Sequence, residues 1–427
     1  MPEGRRKSIK APGHCERIAV MMNFQQISGG VTAPKGFKAS GVHCGIRKNK
    51  DKKDLGIICS DVLCDTAAVY TQNKVKGAPI LVTKRNIANG KARAVIVNSG
   101  NANTCNADGE QKAQLMCELA AKVLNISAED VIVASTGVIG QPLPIEPIAE
   151  HVEELAAGLS YDGGSDAAVA IMTTDTKKKE YAISFEAGGK TCAVGGMAKG
   201  SGMIHPNMAT MLCFITTDVS IGSALLQQAL TEAVNFTFNM ISIDGDTSTN
   251  DMVSILASGL AGNQTITGQS EDYNAFLQAL KMLCVALSRD IAKDGEGATK
   301  LLECNVMGAK TVQDAKTIAK SVIGSSLVKA AMFGADANCG RVLCAMGYAD
   351  AFVTVEKADV SYKSSKGTIL VCQNGVGLSF SEEIAKEILL QDEIEINITL
   401  YDGDAAATAW GCDLTYDYVK INGDYRT

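Results

Sequence analysis

This chain is poor in the residues that make metal sites. Its 427 residues hold only four histidines and no Cys-x-x-Cys pair, which argues against zinc. No stretch free of strongly polar residues reaches the length of a membrane span. The net charge of −7 comes without a long basic run, so composition argues against a nucleic-acid partner. No Gly-x-Ser-x-Gly elbow accompanies His205, which sets aside a Ser/His/Asp hydrolase. A phosphate loop needs Gly-Lys-Ser/Thr in that order, and the chain has Lys199-Gly200-Ser201. The spacing Asp244-x-Asp246-x-Ser248-x-Asn250 hints at a calcium loop, but Thr249 stands where glycine is needed and Ile255 where glutamate is needed. Prolines number eight against 41 glycines, a balance that favours tight turns and close backbone approaches.

Cysteine, by contrast, is plentiful. The fourteen are scattered through a large chain, many inside apolar strings such as Ile57-Ile58-Cys59 and Leu283-Cys284-Val285, and they read as free buried thiols in a reducing compartment. Hydrophobic residues make up 46% and charged ones 20%, as in an ordinary soluble protein, and the length allows two domains or one large α/β body. Strand-like runs at 67–71, 79–83, 94–98, 131–134, 210–217, 351–355, 368–371 and 393–400 alternate with helix-like stretches at 109–124, 148–157, 165–172, 224–234 and 274–291. A helical stretch over 311–333 is interrupted near Gly324-Ser325-Ser326, and 181–185 with 191–194 reads as a hairpin. The pattern is mixed α/β (α+β), without repeats or low-complexity linkers.

The most informative segment runs from Lys199-Gly200-Ser201-Gly202 to Met208-Ala209-Thr210, followed by the apolar run 211–215. Thr210 stands where a bendable loop meets a strand. Were the Ala209–Thr210 bond cut, its own α-amine could serve as general base for its hydroxyl. Spacing alone favours a plain core threonine after a glycine-rich turn.

The segment resembles the self-cleavage site of the ornithine acetyltransferase family, the bifunctional glutamate N-acetyltransferases of arginine biosynthesis. Gly29-Gly30-Val31-Thr32-Ala33-Pro34, Ser135-Thr136-Gly137, Thr173-Thr174-Asp175-Thr176, Asp244-Gly245-Asp246-Thr247-Ser248-Thr249-Asn250-Asp251, Asp294-Gly295-Glu296-Gly297 and the tail ending in Tyr425-Arg426-Thr427 follow in the family's order. The resemblance covers about 27–427. It implies an N-terminal-threonine-nucleophile sandwich of helices and sheets, cut into an alpha chain (27–209) and a beta chain (210–427) that share one core. It implies Thr210 as nucleophile, Thr136 and Gly137 as oxyanion hole, and Thr173, Lys199, Thr210, Glu296, Asn422 and Thr427 as substrate-binding positions. Asp294 is expected to serve the turn before Glu296, and the C-terminus to follow a strand-like segment into the site.

The implied reaction carries acetyl from N2-acetylornithine to glutamate with no metal or organic cofactor. Some family members also take acetyl-CoA as co-substrate, and the residues leave that open. The implied assembly is a heterotetramer of two alpha and two beta chains, cytoplasmic, or in the mitochondrial matrix of a eukaryotic host, without nucleic acid or membrane as partner. A related amidohydrolase or aminopeptidase, and a non-catalytic amino-acid-binding protein, remain the alternatives. Residues 1–26 read as a flexible extension, a weak organellar presequence, or the product of an upstream start with Met21 or Met22 as the true start. In Gly334-Ala335-Asp336-Ala337-Asn338-Cys339-Gly340-Arg341, Ala and Cys replace the family's usual Pro and Trp, which leaves local packing open there.

Overall fold

The computed structural model describes residues 24–205 and 211–424. Ala209, Thr210 and Thr427, together with most of the 1–26 extension, lie outside the described residues. The strands of the first part are β1 (Gln25–Ile27), β2 (Phe37–Val42), β3 (Leu55–Tyr70), β4 (Lys91–Asn98), β5 (Val131–Ser135), β6 (Lys179–Ala187) and β7 (Lys190–Lys199). After the undescribed gap come β8 (Leu212–Thr217), β9 (Ile241–Ser242), β10 (Met252–Ala257), β11 (Leu301–Ala309), β12 (Asp359–Ser364), β13 (Gly367–Gln373), β14 (Val376–Gly377), β15 (Glu393–Thr399) and β16 (Ala405–Cys412).

They form two sheets. The first runs β1-β6-β7-β8-β10-β3-β4-β5, with β2 also on β3; the second runs β14-β13-β12-β15-β11-β16-β9. Sequence order and sheet order disagree where it matters. β8 and β10 pair in parallel and are enclosed by β7 on one side and β3 on the other, so strands from both sides of Ala209–Thr210 share one ladder. Along β8 the side chains alternate between two cores. Leu212 and Phe214 join one face, Cys213 and Ile215 the other, and all four are buried.

Helices are α1 (Ala78–Asn86), α2 (Gly109–Leu124), α3 (Glu146–Ala157), α4 (Gly164–Ala170), α5 (Ser223–Phe236), α6 (Glu271–Lys293), α7 (Val312–Gly324), α8 (Ser326–Phe333), α9 (Cys339–Gly347), α10 (Glu382–Leu389) and α11 (Tyr416–Gly423). Helix α6 touches β6 and β7 of the first sheet and β11 and β16 of the second, joining the two in one hydrophobic core. Its start is well signalled: the Ser270 hydroxyl accepts from the Tyr273 N–H, and Glu271 and Asp272 complement the helix dipole. Its far end delivers Asp294 and Glu296.

Three expectations fail. The run 79–83 is part of helix α1, with Pro79 in the first turn, where a missing N–H costs nothing; its β-branched residues gave a false strand signal. Residues 351–355 form no strand. The Phe352 and Thr354 N–H groups donate to the carboxylates of Asp314 and Asp402 instead of to a ladder, and the strand begins at Asp359. The segment before the C-terminus is helix α11, not a strand. In the divergent stretch, the Asn338 side chain caps α9 by accepting from the Arg341 N–H, Ala337 is buried and Cys339 is half-buried.

Candidate active site

A cavity of about 310 Å³ opens beside the C-terminal end of β7 and the start of β8 and β10. Its wall brings together Thr136, Gly137, Thr173, Lys199, Glu296 and Asn422, six of the positions singled out in the sequence. Met211 and Leu212, directly after Thr210, line it as well. Thr210 and Thr427 themselves lie outside the described residues.

Thr136 and Gly137 leave the end of β5 in a loop clamped from two directions. The Thr136 N–H donates to the Asn98 carbonyl at 2.9 Å, and the Asn250 amide donates to the Ser135 carbonyl at 3.0 Å and to the Ala102 carbonyl at 2.5 Å. The Asn250 carbonyl oxygen in turn accepts from Thr104 at 2.6 Å and Thr249 at 2.5 Å. The Thr136 N–H is thus engaged, and both Thr136 and Gly137 line the cavity.

Lys199, the last residue of β7, is only 8% exposed, so its charge reaches a ligand without competing bulk water. Burial lowers its pKa, and the nearby Asp175 charge opposes that shift. Asp175 is the hub beneath. It accepts from the Thr173 N–H (2.9 Å), the Gly200 N–H (2.7 Å) and the Lys179 ammonium (2.6 Å). Lys179 also reaches Asp294 at 2.6 Å. Asp294 therefore does more than serve a turn: it ties α6 to a wholly buried lysine and accepts from both the N–H and the hydroxyl of Thr176. Burial opposes ionisation of Asp175, but the charges of Lys199 and Lys179 with the hydrogen bonds outweigh it and hold its carboxyl well below the usual carboxylate range.

Two residues further on, Glu296 accepts from the Thr174 hydroxyl at 2.7 Å and from the Asn422 amide at 2.8 Å, while its N–H donates to the Ser201 carbonyl at 2.8 Å. Its carboxylate lies against Gly202, where an added Cβ would stand 2.3 Å from Oε2. The obstacle is the end of a flexible side chain, so Gly202→Ala is expected to keep the fold and displace Glu296. A rise of about tenfold or more in substrate KM, with an unchanged melting temperature, is the outcome to look for in steady-state assays.

His205 lies beyond this centre, its Nδ1 2.9 Å from the Ser242 hydroxyl, and burial lowers its pKa to about 4. The acidic segment 244–251 contributes structure, as expected. Asp244 accepts from the N–H groups of Met203 (2.5 Å) and Ile204 (2.8 Å), while Ser248, Thr249, Asn250 and Asp251 line the cavity. Sequence reasoning missed Asp175 and Asn250 as organisers although both stood in quoted motifs. It had no signal for Lys179, which reads as one of three consecutive surface lysines. Among the described residues no cluster of His, Cys, Asp or Glu could hold a metal ion, and no helix is long and apolar enough to cross a membrane.

A sequence profile of the ArgJ family matches residues 38–427. The chain belongs to the ArgJ family. An arginine biosynthesis bifunctional protein of Caldanaerobacter subterraneus subsp. tengcongensis is 50% identical over 94% of this chain and 99% of its own length. The protein of that name from Bacillus subtilis is 49% identical over 94% of this chain and 98% of its own length. A crystal structure of such a protein from Bacillus halodurans is 47% identical, covers 49% of this chain and 97% of the crystallised chain, and aligns with a TM-score of 0.47.

Proposed function

We propose that the chain carries acetyl from N2-acetylornithine to glutamate through an acetyl ester on Thr210. Acetyl transfer in arginine biosynthesis is the chemistry of the ArgJ family to which it belongs. The observation that carries the finer reading is the cavity itself. Thr136 and Gly137, which would supply the oxyanion donors, line one cavity with the buried Lys199 and with Glu296, and Met211 and Leu212 line it as well.

In this reading the Ala209–Thr210 bond is cut first, giving chains 27–209 and 210–427 that stay joined through the β7-β8-β10-β3 ladder. The freed α-amine takes the Thr210 hydroxyl proton as the oxygen attacks the acetyl carbonyl. Charge on the carbonyl oxygen is met by Thr136 and Gly137. The C–N bond breaks and ornithine leaves with the proton returned to its nitrogen. Glutamate's amine then attacks the ester, the C–O bond breaks, and Thr210 recovers its proton. Lys199 pairs with the substrate carboxylate and Glu296 with the side-chain ammonium of ornithine, while Thr173, Asn422 and Thr427 add hydrogen bonds. No metal or organic cofactor takes part, and acetyl-CoA is a second donor to assay. A cytoplasmic heterotetramer of two alpha and two beta chains completes the reading.

Denaturing mass determination tests it. Wild type should give two fragments breaking between Ala209 and Thr210, and Thr210→Ala one intact chain. Acetylornithine should then add one acetyl mass to the smaller-numbered end of the beta chain, and glutamate should remove it. An unmodified beta chain would refute the nucleophile, and acetyl loss without glutamate would mark a hydrolase.

A further inference from the structure

The polar groups on the cavity wall are unevenly partnered. Glu296 is held by Thr174 and Asn422, and Asn250 by four contacts. Asp251 differs. It is 2% exposed and lines the cavity, yet its Oδ2 accepts no hydrogen bond. Its backbone cannot retreat, because its carbonyl accepts from the Thr71 N–H at 3.0 Å and the next N–H, of Met252, donates to the Met211 carbonyl at 3.0 Å. Lys199, on the same wall, forms no ion pair or hydrogen bond among the described residues. The two charges act on each other, but no ion pair joins them. A buried carboxyl oxygen without a partner is rare in folded proteins and calls for an explanation, such as a catalytic role or a group bound there.

We propose that Asp251 receives the α-nitrogen of the amino-acid substrate while Lys199 receives its α-carboxylate. The proposal rests on the amino-acid reading above. The two groups of an α-amino acid share one carbon, so they need neighbouring receptors of opposite charge, and Lys199 with Asp251 is such a pair. Glu296, fixed against Gly202, is left for the far end of the side chain. Burial raises the Asp251 carboxyl well above its ordinary range. Hydrogen bonding of the carboxyl to the Ser248 and Thr71 side chains and the charge of Lys199 oppose that shift, while Oδ2 stays without a partner.

Calorimetry of ornithine against 5-aminopentanoate, which is ornithine without the α-amino group, tests the assignment on the mature enzyme. Wild type should bind ornithine about 10- to 100-fold more tightly. In Asp251→Asn the two ligands should bind equally, near the wild-type value for 5-aminopentanoate. An unchanged ratio in the variant overturns the proposal alone. Failure of wild type to bind ornithine overturns the substrate reading and the proposal with it. If the variant does not mature, wild type decides: ornithine and 5-aminopentanoate binding equally to wild type would overturn the assignment.

Discussion

Lys179→Met is expected to destabilise the protein by about 3–5 kcal/mol, the range for breaking a buried ion pair from one side. The side chains of Lys179, Asp175 and Asp294 are 0%, 0% and 3% exposed, and the ammonium stands 2.6 Å from a carboxylate oxygen of each partner. Removing it leaves two buried carboxylates facing each other across an apolar gap. The loss spreads, because Asp175 also fixes the Thr173 and Gly200 N–H groups and Asp294 anchors the turn to Glu296. Activity should therefore fall with stability. An unfolding free energy from denaturant titration within about 1 kcal/mol of wild type would refute the clamp, since solvent-exposed pairs are the ones worth so little. The clamp also has a pH signature. The Asp175 pKa is depressed in the folded state, so its contribution is present above the unfolded value of about 3.9 and is lost as pH falls through the lower folded value.

The sequence was most legible where one physical signal dominated. Helix α2 spans Gly109–Leu124 as its apolar spacing predicted, and β15 buries Ile394, Ile396 and Ile398 on one face as its alternation predicted. The break at Gly324-Ser325-Ser326 is real, with the Ser325 hydroxyl capping α8. Signals failed where a local propensity met a stronger tertiary demand, as at 79–83, where a proline-led helix start overrode β-branched residues. Six positions that line the cavity were legible through motif resemblance, but the residues that hold them in place were not. Lys179 and Asp294 are 115 positions apart, and only the hairpin β6-β7 lying on α6 brings them together. Likewise Asn250 reaches Ser135 because β10 inserts beside β3, a crossover that no local pattern encodes.

Gly137→Ala is expected to lower the rate of Thr210 acetylation by about 10²–10³-fold, the cost of losing one oxyanion donor. Gly137 has a φ of +133°, and a Cβ there would stand 2.6 Å from the Gly100 carbonyl carbon and 2.7 Å from the Asn101 nitrogen. Both obstacles are backbone, and that backbone is itself pinned, since the Asn98 side chain accepts from the Asn101 N–H at 3.0 Å. The strain must therefore be relieved at residue 137, which displaces its N–H. Lys199 and Glu296 come from β7 and the end of α6, not from this loop, so ornithine affinity should stay within about threefold of wild type. Single-turnover acetylation followed by mass, paired with ornithine calorimetry, separates the two quantities. Acetylation at the wild-type rate would remove Gly137 from the oxyanion hole. A matching loss of ornithine binding would instead mean that the loop supports the whole cavity, so that its glycine serves packing rather than chemistry.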